Sequence, residues 1–363
     1  MKPYLTAVFY TLLLSANGHA SELSVNGYVL ADAGYFDEFY IKDGDTRSHA
    51  ADTLHGELRS LSISPAWKHD RFRVKAQYKW QTDHGQWGDV EARVKLNAGH
   101  VRFGRSELTT SQEDNLSYDT LPVIDRSLPV RAFSAGHQNL AGLRWQPENS
   151  IWRLDIAAYV NDDDYQGSQL RLALSPASQR WLWAIAGEHR NLNDDLFQIK
   201  TEAAVHLSDK VIRSPRFYAA EQTLLQSDVT LITPSGWWSG EYWLTQVNST
   251  SGDAFTFHGG YGQWVYNSHG SYRLQDFGMD ARRKALADSW DFVIRAEFLD
   301  LQDQGYGARV SNVMAGLNYY VTSRLSLLGN VTFSEAAGQL ISARATDQQA
   351  RGQAVSARLR YVF

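Results

Sequence analysis

Four cationic side chains recur along one short stretch of the sequence, at Arg71, Arg73, Lys75 and Lys79. Apolar and aromatic residues take the alternate positions, and this period of two puts the cations on one face of a β-strand. Neighbouring positions on that face lie about 6.6–6.8 Å apart. Such a row can pass an anion along by partly replacing its hydration shell. Arginine suits phosphate in particular, because its planar guanidinium donates paired hydrogen bonds.

A second charged region follows at 106–138, where carboxylates outnumber arginines. Two interpretations are open: the basic strand selects anions, or it faces an acidic segment across the channel. The second arrangement gives a transverse field that favours small polar solutes with mild ion selectivity. The candidate pore-lining or anion-binding residues are Arg71, Arg73, Lys75, Lys79, Arg93, Lys95, Arg126, Arg131 and Arg295. The candidate constriction acids are Glu107, Glu113, Asp119 and Asp125.

The elements predicted to position these charges are membrane-spanning β-strands. The same alternation of apolar and polar residues returns in 87–96 and 353–363. Beyond the N-terminus no run reaches the roughly eighteen apolar residues of a membrane helix. A cation facing lipid at mid-depth costs about 2–4 kcal/mol, so the cations of 70–81 should face a lumen.

Tryptophans lie beside short turns, which distinguishes this pattern from that of a soluble β-protein. A soluble sandwich has no reason to order aromatics at strand ends, whereas membrane barrels carry aromatic girdles at both interfaces. The turn-adjacent residues predicted to form one periplasmic girdle are Trp145, Trp152, Trp181, Trp183, Trp237 and Trp238.

Sixteen strands can be placed, an even number as single-chain outer-membrane barrels have. They are predicted at 23–36, 54–66, 70–81, 87–96, 100–105, 139–146, 151–161, 168–175, 180–190, 223–233, 237–247, 255–266, 289–301, 311–321, 324–333 and 353–363. A one-residue break in alternation between Arg59 and Leu61 predicts a β-bulge near Arg59. Residues 106–138 are predicted to form an inward-folded constriction loop. Residues 191–222 are assigned to a long extracellular loop, part of which can fold back into the lumen, and 267–288 is long for a periplasmic turn.

The two ends of the sequence predict export and insertion. Residues 1–20 read as a cleaved signal peptide, with Lys2 before a short apolar run and small residues at the cleavage site. The remaining chain, 21–363, is predicted to be one barrel in the bacterial outer membrane, where membrane lipid and lipopolysaccharide surround it. Phe363 is the type of terminal aromatic that barrel-assembly machinery recognises, which makes that machinery an expected partner.

Composition and motifs favour no other chemistry. The chain has no cysteine, and its net charge of −5, or −6 after removal of the signal, gives no indication of a nucleic-acid partner. No nucleophile with a positioned base is evident, so we expect neither an enzyme nor a cofactor or metal. The acidic pieces 43–45 and 162–164 lack an EF-hand's ligand spacing and are interpreted as solvated loop tips. His189, His206 and His258 are interpreted as polar pore or rim residues.

Several short motifs resemble one known family. The sharpest is Val-Ile-Asp-Arg-Ser-Leu-Pro at 123–129, followed by Ala-Phe-Ser at 132–134. Arg-Phe-Gly-Arg at 102–105 resembles the strand ending that opens the loop carrying this motif, and 65–68, 316–320 and 358–363 are weaker matches. With these motifs the chain, from about Gly27 to Phe363, resembles the phosphate-selective porin O and P family. The resemblance implies sixteen strands, a homotrimer and conduction of anions along lysine and arginine side chains.

The sequence departs from that family where phosphate selectivity is concerned. The stretch corresponding to the family's arginine series, 197–207, has Lys200 as its single lysine or arginine. The family's loop-three lysine corresponds to Asp119, while Arg126 retains the arginine. These departures weaken the expectation of phosphate specificity. From the cations of 71–79 and the resemblance we predict a porin for small hydrophilic solutes with a preference for anions such as phosphate. A non-selective porin remains an alternative, as does a surface receptor or adhesin barrel.

Overall fold

The computed structural model describes residues 21–42, 54–82, 84–161, 165–176, 180–268, 272–275, 277–280, 287–343 and 349–363. The predicted signal peptide 1–20 and the acidic pieces 43–45 and 162–164 lie outside these residues. No helix within the described ranges is long and apolar enough to cross a membrane.

Sixteen antiparallel strands pair in sequence order and close into a barrel, as the sequence predicts. Closure is made by the first and last strands, which pair from Tyr28–Val362 to Phe36–Ala354. The strands are β1 (Glu22–Phe36), β2 (Leu54–His69), β3 (Phe72–Trp80), β4 (Gly85–Leu96), β5 (Gly99–Glu107), β6 (His137–Trp145), β7 (Trp152–Val160), β8 (Gln166–Leu174), β9 (Trp181–Phe197), β10 (Phe217–Thr233), β11 (Gly236–Ser249), β12 (Ala254–Asn267), β13 (Ser289–Asp300), β14 (Ala308–Tyr320), β15 (Leu325–Gly338) and β16 (Gln349–Val362).

The barrel is apolar outside and polar inside, the reverse of a soluble sandwich. Along β14, Val313 and Leu317 are exposed on the outer face, whereas Asn312 and Asn318 are buried on the inner face. This inversion follows from the period of two: each strand presents one face to lipid and the other to the lumen. The bulge predicted at Arg59 is confirmed, because the β1–β2 pairing passes from Leu30–Ser60 to Ala31–Leu58.

Aromatic residues ring the end of the barrel where β1 begins and β16 ends, called here the terminal end. Trp145 packs edge-to-face on Trp152 with ring centroids 4.7 Å apart. Trp238 stacks on Trp264 at 5.6 Å. The girdle prediction is wrong for Trp237, which is buried inside the barrel. Adjacent residues of a strand point to opposite faces, so Trp237 and Trp238 cannot both face lipid.

The predicted loop 191–222 is wrong at both of its ends. Strand β9 continues to Phe197 and β10 already begins at Phe217. The intervening 198–216 segment contains a two-residue hairpin, Lys200–Thr201 paired with Ile212–Arg213. Most of its apolar side chains are buried in one cluster with residues of the 108–136 segment and of several strands.

Two further stretches add to the apolar packing inside the barrel. A helix, α1 (Leu128–Phe133), lies in the 108–136 segment between β5 and β6. The long connection between β12 and β13 forms a small hairpin, Arg273–Gln275 with Gly278–Asp280. Its Tyr272 and Leu274 are buried in a cluster with Val123 of the 108–136 segment. Apolar residues of the connections thus pack against the inner wall and against one another.

Candidate pore

The 108–136 segment contacts inward-facing side chains on β8, β13, β14 and β16. Arg171 donates to the Thr110 carbonyl at 2.8 Å and Asn318 donates to the Pro122 carbonyl at 2.7 Å. Arg360 donates to the Asp119 carbonyl at 2.8 Å, and the Leu128 amide donates to the Glu297 carboxylate at 3.1 Å. Backbone groups outside regular hydrogen-bond ladders, and the first amides of a helix, need such partners when they are removed from water.

Arg126 holds this segment together from within. Its guanidinium lies 3.0 Å from the Asp114 carboxylate and donates to the Leu116 carbonyl at 3.0 Å. It also lies over the Tyr118 ring, 4.7 Å from the centroid. Burial raises the pKa of Asp114 above its usual range, although the Arg126 charge opposes that shift. Arg126 was predicted as a pore-lining cation, and the structure instead places it mainly in contacts within the segment.

Arg295 is likewise not exposed to an open channel. The side chain is completely buried and its guanidinium pairs with Glu113. It also donates to Gln263 at 2.7 Å and lies over the Tyr261 ring at 4.9 Å. The predicted anion-binding role for Arg295 and the predicted constriction role for Glu113 are therefore replaced by a buried contact between β13 and the 108–136 segment.

The other three predicted acids differ in their burial and in their contacts. Asp125 is buried against His206, and that imidazole holds the pKa of the carboxyl well below its usual range despite the desolvation. Glu107 lies at the end of β5, 3.5 Å from Arg126 and 3.6 Å from His137. Asp119 is half-buried and faces an open cavity. Of the four, Asp119 is thus best placed to act on a passing solute.

The predicted cations Arg71, Arg73, Lys75 and Lys79, called here the basic stripe, line three cavities that follow β3 along the barrel. The first, of about 820 Å³ at the terminal end, is lined by Arg71 and Arg73. The second, of about 380 Å³, is lined by Arg73 and Lys75, with Asp119 on another side. The third, of about 330 Å³ toward the opposite end, is lined by Lys79. All four stripe residues are therefore together on one wall, in sequence order along the barrel axis.

The first cavity forms a basic bowl. Its charged lining consists of Lys68, Arg71, Arg73, Arg93, Lys95 and Arg144, with Glu22, Asp70 and Glu148 as acids. Six cations against three carboxylates leave a net positive lining. Arg93 is paired with Glu91 and Arg144 with Asp155, at 2.6 Å for the latter pair. The bowl includes the predicted residues Arg93 and Lys95.

Some lining residues were absent from the predicted set. Lys68 and Arg144 line the bowl, and Arg324 and Arg360 line the second cavity. The sequence could have indicated that Lys68, Arg144 and Arg360 face the lumen, because each lies on the polar face of a strand in which apolar and polar residues alternate. Arg131 was predicted as pore-lining, but it lies 3.4 Å from Glu202 and is mostly buried. It joins the 108–136 segment to the 198–216 segment.

Phe363 lies at the terminal end on the outer face. Its backbone exchanges two hydrogen bonds of 2.9 Å with Gly27, and its ring stacks on Tyr361. The last residue therefore extends the seam between β1 and β16.

Comparisons with known proteins agree with this architecture. The model of the family described as "Phosphate-selective porin O and P" matches residues 225–363, which confirms the resemblance over that part of the chain. No curated protein sequence matches the chain.

Solved structures share the fold at low identity. OmpT of Vibrio cholerae, folded in vitro, superposes with a TM-score of 0.63 at 10% identity, covering 96% of this chain and 99% of that one. Its trimer form gives 0.62 at 9% identity, with 95% and 100% covered. An anion-selective porin from Comamonas acidovorans gives 0.62 at 11% identity, also with 95% and 100% covered. The chain has the fold of outer-membrane porins, and its residues 225–363 match the phosphate-selective porin O and P family.

Proposed function

We propose that this protein is a passive outer-membrane channel for small hydrophilic solutes, with a preference for anions such as phosphate. The observation that carries the proposal is the succession of Arg71, Arg73, Lys75 and Lys79 through three cavities along one wall. Cations spaced along a water-filled path lower the barrier for an anion at each step. Passage needs no chemical reaction, which accords with a channel rather than an enzyme.

The charges of the path support a moderate selectivity rather than tight binding. Lys75 is paired with Asp89 at 2.7 Å, and Asp119 faces the same cavity as Arg73 and Lys75. Such pairing leaves each site weak enough for an anion to leave it, as conduction requires. The acid across the cavity also supports the second candidate, a general porin in which a transverse field favours polar solutes of either charge.

Reversal potentials in asymmetric potassium chloride distinguish these candidates. The proposal expects an anion-selective sign for the purified protein in planar bilayers. A cation-selective sign would contradict the anion preference while leaving channel function intact. Millimolar phosphate should reduce the chloride current if phosphate uses the stripe, and an unchanged current would leave a general porin.

A variant without two of these cations tests whether the basic stripe sets the ion selectivity. Arg71→Gln with Arg73→Gln should shift the reversal potential toward that of an unselective pore, because both cations border the bowl. Arg351→Gln is the matched control: its side chain is 78% exposed on the outer face and pairs with Glu335. Equal shifts in both variants would show that the effect does not come from the lumen.

We also propose a cleaved signal peptide, insertion by barrel-assembly machinery through Phe363, and assembly as a homotrimer. The trimer form of OmpT of Vibrio cholerae, which shares this fold, supports the assembly. Native mass measurement in detergent should give three chains, and a single-chain mass would refute it.

A further inference from the structure

One histidine in the 198–216 segment lies among carboxylates from three different elements. Nδ1 of His206 is 2.7 Å from Asp125 of the 108–136 segment. Nε2 of His206 is 2.9 Å from Glu57 of β2 and 3.2 Å from Asp32 of β1. The His206 amide also donates to Asp125 at 3.0 Å. A single side chain therefore joins two lumen-facing connections and the barrel wall.

The contacts favour a protonated ring. A neutral imidazole donates from one nitrogen only, whereas both nitrogens of His206 face carboxylate oxygens. Both nitrogens can donate to carboxylates at once only in the imidazolium form. The three carboxylates of Asp32, Glu57 and Asp125 around the ring also favour a positive charge on it.

A metal ion fits the same place less well. The oxygen and nitrogen atoms of Asp32, Glu57 and His206 lie within 4.8 Å of one another, a spacing that a metal could use. Arg358, however, already donates to both Asp32 oxygens, at 2.7 and 2.6 Å. Arg59 lies 4.0 Å from Glu57. A divalent cation would have to compete with these two arginines for the same carboxylates.

The 198–216 segment has other ties among the described residues, made by backbone groups, carboxylates, an amide and an arginine. Asn312 donates to the Ala203 carbonyl at 2.7 Å, and Asp209 accepts from the Lys42 amide at 2.8 Å. Arg131 pairs with Glu202 at 3.4 Å. His206 is thus the contact of this segment whose strength a physiological change of pH can alter.

We propose that His206 is a proton-operated latch: its imidazolium holds the 198–216 segment inside the barrel, and loss of the proton releases the segment and widens the channel. The groups facing the ring are Asp32, Glu57 and Asp125, and behind them Arg59, Arg358 and Arg131. The proposal rests on the channel function proposed above.

The direction of the pH dependence follows from the pKa values of the two loop residues. Burial alone would lower the pKa of His206, but the Asp125 carboxylate, followed by Glu57, outweighs burial and raises it. A raised pKa means that the latch is complete below the ordinary histidine value and weakens as pH rises through the higher one. The lowered pKa of Asp125 keeps that carboxylate charged throughout this window. Release is therefore an alkaline event.

Single-channel recording over a pH series tests the latch. Wild type should show a conductance that increases between mildly acidic and alkaline pH. His206→Gln, which cannot carry the charge, should lose this transition and conduct at the higher level throughout. His206→Lys should move the transition to more alkaline pH, because an ammonium keeps its proton longer. His189→Gln is the matched control: its side chain is 51% exposed, and it should keep the transition.

A second readout does not depend on conductance. Trypsin should cut within 198–216 faster at alkaline pH in wild type, and at all pH values in folded His206→Gln. Unchanged pH dependence of conductance and cleavage in His206→Gln would refute the latch while leaving the channel intact. If a chelator abolished the transition in wild type, a bound metal ion rather than a proton would be what operates the latch, and the proposal would be refuted. Absence of any conductance in folded wild type would instead refute the proposed function.

Discussion

At the scale of single residues, the charges inside the barrel do two different jobs. Arg71 and Arg73 line open cavities, whereas Arg126 and Arg295 are buried and hold the 108–136 segment. Sequence reasoning gave these four arginines one role. For those on strands, the period of two indicates which face a side chain takes but not whether a connection covers that face, and Arg126 was assigned from the family resemblance. The distinction depends on which inward positions the connections cover.

A buried pair in the wall allows this distinction to be measured. Arg171 contacts Asp228 through two hydrogen bonds, of 2.5 and 2.9 Å, and both side chains are almost fully buried. Arg171→Met leaves Asp228 without its counter-charge, which should cost about 3–5 kcal/mol of unfolding free energy. Urea unfolding in detergent, followed by loss of the heat-modifiable band, measures this cost. The double variant with Asp228→Leu should recover most of it, and failure to recover would show that the pair is not the cause.

At the scale of elements, the strands were predictable and the connections were not. All sixteen predicted strands overlap an observed barrel strand, because lipid outside and water or polar loops inside impose a strict alternation. Residues 197–207 also alternate, yet most of them belong to a segment that packs inside the barrel. An apolar face can be covered by lipid or by another connection, and the local sequence does not distinguish the two. For this reason the ends of β9 and β10, and the surroundings of Asp125 and His206, were not predictable.

One tight turn places part of the basic bowl and can be tested on its own. Gly99 opens β5 with φ +118°, and a Cβ there would overlap the Arg144 carbonyl. Gly99→Ala should therefore lower the unfolding free energy by more than about 1 kcal/mol and distort the bowl. Gly136→Ala is the matched control, since Gly136 also has a positive φ of +65° but has open space around it. Similar losses in the two variants would mean that backbone conformation alone, without the close approach, sets the cost.

At the scale of the whole molecule, the three cavities lined by the basic stripe share one strand of the wall, β3. Apolar clusters formed by the connections occupy the lumen next to many strands of the second half, including β11, β12 and β13. The cavities lined by the basic stripe share β3, and the second of them extends across the lumen to Tyr272 and Tyr320. A solute entering at the terminal end thus meets the bowl first and then stays beside one charged wall. Selectivity should depend on that wall more than on the net charge of the chain, which is negative.

This arrangement predicts how selectivity responds to salt. Charges around a water-filled bowl act through a distance of about 10 Å at 0.1 M ionic strength and about 3 Å at 1 M. Anion preference, measured as reversal potential at a fixed concentration ratio, should therefore decline as both solutions are made more concentrated. Arg71→Gln with Arg73→Gln should remove most of the salt-dependent part, and Arg351→Gln should leave it unchanged. A preference that persists in concentrated salt would place the filter at the second cavity, where Arg73 and Lys75 face Asp119.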